Sequence, residues 1–204
     1  MDAVILCGGQ GTRLRGHIPD GTPKCMAQIG RRTFIEILLD HLMSYHGFGK
    51  FIFCTGYEAG LVEHHVRRIM EVSEPSMDVE FYFSREEWPM GTGGCLIPAA
   101  KFVSDRPFFV FNGDTIHCFD PMEMFRELGE ERNGVACISG SGEYCGSFLF
   151  SRRFLDMMRK MKTPFQLEDA IDRIGGVVKI KSEQPFFDIG TPDRLRLFRG
   201  NYGE

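Results

Sequence analysis

Residues 107–113 read PFFVFNG. Four apolar side chains follow one another there. Successive side chains of a strand point to opposite faces, so both faces of a strand built on this run must be covered. The pattern returns in DAVILC (2–7) and KFIFCTG (50–56), and in weaker form in DVEFYFS (78–84), GVACIS (134–139), GSFLFS (146–151) and VVKIKS (177–182). Helical patterns lie between these runs. Segment 33–46 carries Phe34, Ile37, Leu38 and Leu42 at helical spacing, and 58–71, 94–103, 121–130, 152–161, 167–174 and 192–199 also read as helices. Thr191-Pro192-Asp193 is a helix start, with threonine as N-cap and proline at the first helical position. Doubly covered strands separated by helices predict an α/β fold, a three-layer sandwich around a mostly parallel sheet. With no repeat, low-complexity stretch or linker, residues 1–204 read as a single domain.

The formal net charge is −4 and no block of like charge stands out, which argues against a nucleic-acid binder. The local basic cluster Arg13, Arg15, Lys24, Arg31 and Arg32 suits a small anionic ligand better than a polymer. No apolar run approaches the roughly 20 residues of a spanning helix, so no membrane is expected as a partner. Asp2 precedes a short apolar run ending at Cys7, which reads as a buried strand and not a signal peptide. Seven scattered cysteines, odd in number and never spaced C-x-x-C, point to a reduced, cytoplasmic setting with no zinc site.

In an open sheet of this type the ligand lies beyond the carboxyl ends of the strands. That rule selects the glycine loop after Cys7, NGDT after Phe111 and DIGT after Phe187. The loop, VILCGGQGTRLRG (4–16), fits neither common nucleotide fingerprint. A dinucleotide loop needs glycine where Leu14 stands, and a P-loop needs lysine where His17 follows Gly16. What remains is a glycine turn with a hydroxyl and a guanidinium, Thr12 and Arg13, and a second cation at Lys24. Glycine lets backbone N–H groups approach phosphate, arginine grips phosphate oxygens as a fork, and lysine supplies a point charge.

The segment LCGGQGTRLRG…PK resembles the signature of the sugar-1-phosphate nucleotidyltransferases, the nucleotide-sugar pyrophosphorylases. MGTGGCLIPAA (90–100), VFNGDT (110–115) and FFDIGTPDRL (186–195) resemble three further segments of that family, in the same order. The compact length and DIGTP ending look most like heptose- or mannose-1-phosphate guanylyltransferases. The resemblance implies a Rossmann-like three-layer sandwich and transfer of a nucleotidyl group from an NTP, with GTP weakly favoured, to a sugar 1-phosphate. It implies Mg2+ as cofactor, with Asp114 and Asp188 as metal ligands. Arg13 and Lys24 should bind the NTP phosphates, and both, with Asp114, are the catalytic candidates. Leu6, Gly8, Gly9, Gly11, Thr12 and Gly113 should line the nucleotide pocket, Gly91 and Gly93 the base or ribose. Gly146 and Glu168 fall on the sugar-phosphate side. Self-association is left open.

Taken alone, an aspartate after a strand is most often a turn or N-cap residue. Three anionic groups meet in such a reaction, however, and a divalent cation on one or two carboxylates is the physical answer. Glu168 also has a helix-end reading, since a carboxylate is stabilised near a helix N-terminus. His64-His65 reads as part of a surface helix, and Trp88-Pro89 as either base-pocket or packing residues. The chain departs from the family in one place. Only SGSGEYCGSFLFS lies between Ile138 and Arg152, and no lysine occurs between Lys101 and Lys160, where a sugar-phosphate lysine belongs. Arg152, Arg153 or Lys179 are the candidate substitutes. A non-sugar acceptor such as phosphocholine, or a nucleotide-binding regulatory module without turnover, are the alternatives.

Overall fold

The computed structural model describes residues 1–73 and 79–202. Eleven strands occur among them: β1 Asp2–Leu6, β2 Gln28–Ile29, β3 Arg32–Thr33, β4 Lys50–Thr55, β5 Glu80–Arg85, β6 Phe108–Asn112, β7 Thr115–His117, β8 Gly134–Ile138, β9 Tyr144–Phe150, β10 Val177–Lys181 and β11 Phe186–Asp188. The α-helices are α1 Phe34–Met43, α2 Ala59–Ser73, α3 Gly91–Gly94, α4 Leu96–Ala99, α5 Pro121–Leu128, α6 Arg152–Met158, α7 Leu167–Ile174 and α8 Pro192–Tyr202. Seven strands form one sheet in the order β10-β8-β9-β6-β1-β4-β5. Only β9 runs against its neighbours, β6 and β8. All seven strands expected from sequence are present, although Asp78, the first residue of one expected run, lies outside the described residues.

Burial on both faces is explicit in the two hydrophobic cores. Ala3 and Ile5 of β1, Phe51 and Phe53 of β4, and Phe109 and Phe111 of β6 face one core with Leu38 and Val62. Val4, Ile52, Phe108 and Val110 face the other, with Leu96, Phe150 and Phe154. No helix among the described residues is long and apolar enough to cross a membrane.

Two features differ from the expectation. The helix expected over 94–103 is a pair of single turns, α3 and α4. Pro98 has no N–H to give the carbonyl of Gly94, so the two turns cannot merge into one helix. The second feature is a short antiparallel ribbon, β7 against β11, standing off the main sheet. It pairs Thr115 with Asp188, residues far apart in sequence.

The ribbon is tied to the sheet by a buried histidine. The His117 ring lies 3.1 Å from Ser147 Oγ and 2.9 Å from Ser182 Oγ. Burial, aided by the nearby His41, lowers its pKa from 6.5 to about 4. The folded chain therefore holds His117 neutral, while the unfolded chain takes up its proton as pH falls below about 6.5. Stability present above that pH is lost as pH drops toward 4, by up to roughly 3 kcal/mol. Urea midpoints measured between pH 7 and pH 4.5 should fall in the native protein and fall less in His117→Asn. Parallel curves would remove His117 as the cause.

Candidate nucleotidyl-transfer site

The strand register sets the site. Leu6 aligns with Cys54 on one side and with Asn112 on the other, so the residues after β1, β4 and β6 emerge together. They open a cavity of about 640 Å³ at the carboxyl edge of the sheet. The glycine loop forms one wall. Gly11 has φ 63°, a left-handed conformation that glycine adopts without a Cβ penalty, and leads into a single 3-10 turn over Thr12–Leu14. Leu14 is fully buried and anchors that turn, while Thr12 and Arg13 stay exposed at the cavity. A Cβ on Gly11 would meet Lys24 Cβ at 3.1 Å, so the loop lies along the lysine stem.

Lys24 opens a second 3-10 turn, after Pro23, and forms an ion pair with Asp114. Asp114 reaches it because Gly113 packs directly on the end of β1, its N–H 3.1 Å from the Leu6 carbonyl. The Asp114 carboxylate also accepts from Thr115 Oγ1 at 2.9 Å, and its carbonyl accepts from the Ile189 N–H at 3.0 Å. Asp188 stands beside it through the β7–β11 ribbon. Its Oδ1 accepts from the Gly190 N–H at 2.7 Å, and its other oxygen pairs with Arg194. Gly190 lines the cavity, and a Cβ there would lie 2.7 Å from Asp188 Oδ1 and 3.3 Å from Lys24 Nζ. Asp188 and the Lys24 ammonium that pairs with Asp114 therefore flank one glycine of the cavity wall. Hard oxygen donors in this arrangement suit a small divalent cation.

Leu6, Gly8, Gly9, Gly11, Thr12, Arg13, Lys24, Gly91, Gly113, Asp114 and Glu168 all line the cavity. Three candidates stand back from it. Asp188 sits behind Gly190, as described. Gly93 faces Phe165, whose ring a Cβ would meet at 2.5 Å, so it is a packing glycine. Gly146 packs on Thr115 and Asn112, beneath Asp114. The substitutes for the missing lysine are held elsewhere. Arg152 donates to the Ala100 and Val103 carbonyls, Arg153 to Asn133, and Lys179 pairs with Asp172. His65 bonds Thr33 Oγ1 at 3.0 Å, within the scaffold.

Some lining residues carry no motif. Trp88 is 54% exposed and forms part of the rim. Glu86 follows β5 and lies against Gly8, where a Cβ would touch its Oε1. Burial raises its pKa, opposed by a 2.7 Å hydrogen bond from the Met90 N–H to Oε2. The strand-end rule that selected the glycine loop applies equally to this position. Cys7 and Cys95 also line the cavity. A hydrogen bond with Cys25 and burial push Cys7 well up, and a hydrogen bond with Cys54 and burial do the same for Cys95. Both shifts favour the thiol over the thiolate, the less nucleophilic form.

The chain has known relatives. The chain is 33% identical to the D-glycero-alpha-D-manno-heptose 1-phosphate guanylyltransferase of Campylobacter jejuni over 120 residues, 59% of this chain and 50% of that protein. It is 34% identical to the mannose-1-phosphate guanylyltransferase catalytic subunit beta of Drosophila melanogaster over 116 residues, 56% of this chain and 30% of that one. The chain thus matches half or less of the length of either relative. The crystal structure of HddC from Yersinia pseudotuberculosis complexed with GMP-PN superposes with a TM-score of 0.79 at 22% identity, covering 98% of this chain and 99% of that one. The fold is the Rossmann-like sandwich of such enzymes. Residues 2–143 match the family model for nucleotidyl transferases, and the chain belongs to that family.

Proposed function

We propose that this chain transfers a nucleotidyl group from GTP to a sugar 1-phosphate, releasing pyrophosphate, with mannose or heptose 1-phosphate as acceptor class and Mg2+ as cofactor. The observation that carries it is the Lys24–Asp114 pair, with Asp188 behind Gly190, set against a glycine loop that walls the same cavity. An acceptor phosphate oxygen attacks the α-phosphorus, the bond to the β-phosphate oxygen breaks, and pyrophosphate departs with that electron pair. The nucleophile is already an anion, so no general base is required. Backbone N–H groups of Gly8 to Gly11 and the Arg13 fork hold the triphosphate, and Lys24 answers charge growing at the α-phosphate. Asp114 and Asp188 would hold the metal, which when bound neutralises triphosphate oxygens.

Glu86 supports guanine as the base. A half-buried carboxylate at the cavity wall would accept from the two N–H donors on the Watson–Crick edge of guanine, a pairing that uracil or thymine does not offer. Glu86→Gln is expected to lower kcat/KM for GTP about tenfold to a hundredfold and to narrow the preference over ATP and UTP. Unchanged selectivity would sink the base assignment. The activity is tested by pyrophosphate release from each of the four NTPs with mannose, heptose and glucose 1-phosphates and with phosphocholine. Turnover restricted to phosphocholine, or no turnover with any pair, overturns the reading.

A further inference from the structure

Both aspartates of the candidate site hang on a small piece of chain. The segment that carries Asp114 leaves the sheet at the end of β6, and Asp188 is brought to it by the three-residue strands of the β7–β11 ribbon. A two-stranded ribbon so short is at best marginal by itself. Strand β9 supplies the hold. It is bulged: Ala136 of β8 pairs with Phe148 and Ile138 with Tyr144, so Cys137 alone stands opposite Cys145, Gly146 and Ser147. Gly146 takes φ 77° in the bulge, and a Cβ there would lie 3.0 Å from Thr115 Cβ, so the missing side chain lets Thr115 settle on β9. The next residue grips the ribbon. Ser147 is buried, pairs with Phe111 in the β6–β9 ladder, and places its Oγ 3.1 Å from Nδ1 of His117. One residue of β9 therefore meets the chain twice, before and after Asp114. His117 is held from other sides too, its Nε2 2.9 Å from Ser182 Oγ and its carbonyl accepting from Nε2 of His41 at 3.0 Å.

We propose that Ser147 and His117 form a clasp that sets the positions of Asp114 and Asp188, a positioning role that rests on the part given to those aspartates in the function proposed above. Phe111 and His117 are closed onto the same serine, so the segment between them is fixed at both ends, with Asp114 near its middle. Asp188 pairs with Thr115, inside the clasped segment, and moves with it. Neither Ser147 nor His117 lines the cavity, so any effect of the clasp on the reaction passes through the groups it holds. The glycine loop follows β1 and lies outside the clasp, so NTP binding should depend on it little. A displacement of about 1 Å at a charge-stabilising group costs up to a hundredfold in rate.

Steady-state kinetics with GTP and mannose 1-phosphate, together with Mn2+ titration of the whole chain, test the clasp. Ser147→Ala, His117→Ala and the double variant are measured well below their melting temperatures, with circular dichroism to confirm the fold. Each single variant should lower kcat about tenfold to a hundredfold, leave KM for GTP within about twofold of the native value, and weaken Mn2+ binding about tenfold. The double variant should be no slower than the worse single one, because the two residues act through one contact. His117→Asn keeps a polar atom near the place of Nδ1 and should regain most of the kcat lost in His117→Ala. A loss of packing alone would give additive effects and no such rescue. Native kcat in folded Ser147→Ala, or a loss confined to KM for GTP, overturns the clasp. If the native chain binds Mn2+ but turns over neither substrate, the transfer reading falls by itself and Mn2+ decides the clasp: unchanged affinity in Ser147→Ala overturns it, and a tenfold loss upholds it. A native chain with neither turnover nor Mn2+ binding overturns both.

Discussion

Asp114→Asn is expected to lower turnover by at least about a hundredfold and to leave the fold intact. The substitution keeps the shape of the side chain and the oxygen that Thr115 Oγ1 donates to, so the β7 ribbon has no reason to move. What it removes is the charge. Asp114 is 26% exposed and faces Lys24, which is 14% exposed, so the pair sits where water screens it only in part. Asparagine is a poor ligand for a hard cation beside a second carboxylate, and Lys24 would lose the anion that fixes its ammonium. Pyrophosphate release and thermal unfolding, measured on the same preparation, separate the two effects. A variant with an unshifted melting temperature and near-normal product formation would refute the metal role of Asp114. A rate restored by raising Mg2+ would place the defect in metal affinity instead of in charge at the α-phosphate.

The sheet and the site were legible in the sequence to different depths. Runs such as PFFVFNG cannot be half-exposed, and the observed cores take Phe108 and Val110 on one face, Phe109 and Phe111 on the other. The glycine loop, Lys24 and Asp114 were likewise visible, since each follows a strand end or a turn signal that requires nothing remote. The β7–β11 ribbon was not, because it pairs Thr115 with Asp188 across a long stretch of chain and each strand is only three residues. Without it the relation of the two aspartates has no spatial meaning. Gly91 and Gly93 of GTGG show a third limit. Gly91 lines the cavity and Gly93 does not, although a Cβ on either would meet Phe165, and the segment that decides this, 163–167, arrives from elsewhere. Glu86 carries no motif; only packing against Gly8 brings it to the site.

Gly113→Ala is expected to cost about 2–3 kcal/mol of stability and, separately, to reduce turnover by about a hundredfold. The added Cβ would lie 2.5 Å from the Leu6 carbonyl oxygen, 3.0 Å from Cys7 Sγ and 3.1 Å from the Leu6 carbonyl carbon. Two of those atoms are backbone of the neighbouring strand β1 and cannot swing aside, so the end of β6 must lift away. Lifting it lengthens the 3.1 Å hydrogen bond from the Gly113 N–H to Leu6 and carries Asp114 away from Lys24. A shift of about 1 Å at a charge-stabilising group is enough for the rate effect. At this chain length the stability loss corresponds to a melting temperature lower by roughly 4–12 °C. Gly9→Ala provides the comparison, because nothing lies within 4 Å of a Cβ built there. Its melting temperature should stay within about 2 °C of the native value. If the two alanine variants melt together, close approach of β6 to β1 is not what positions Asp114, and the placement of the carboxylate must be sought in the β7–β11 ribbon instead.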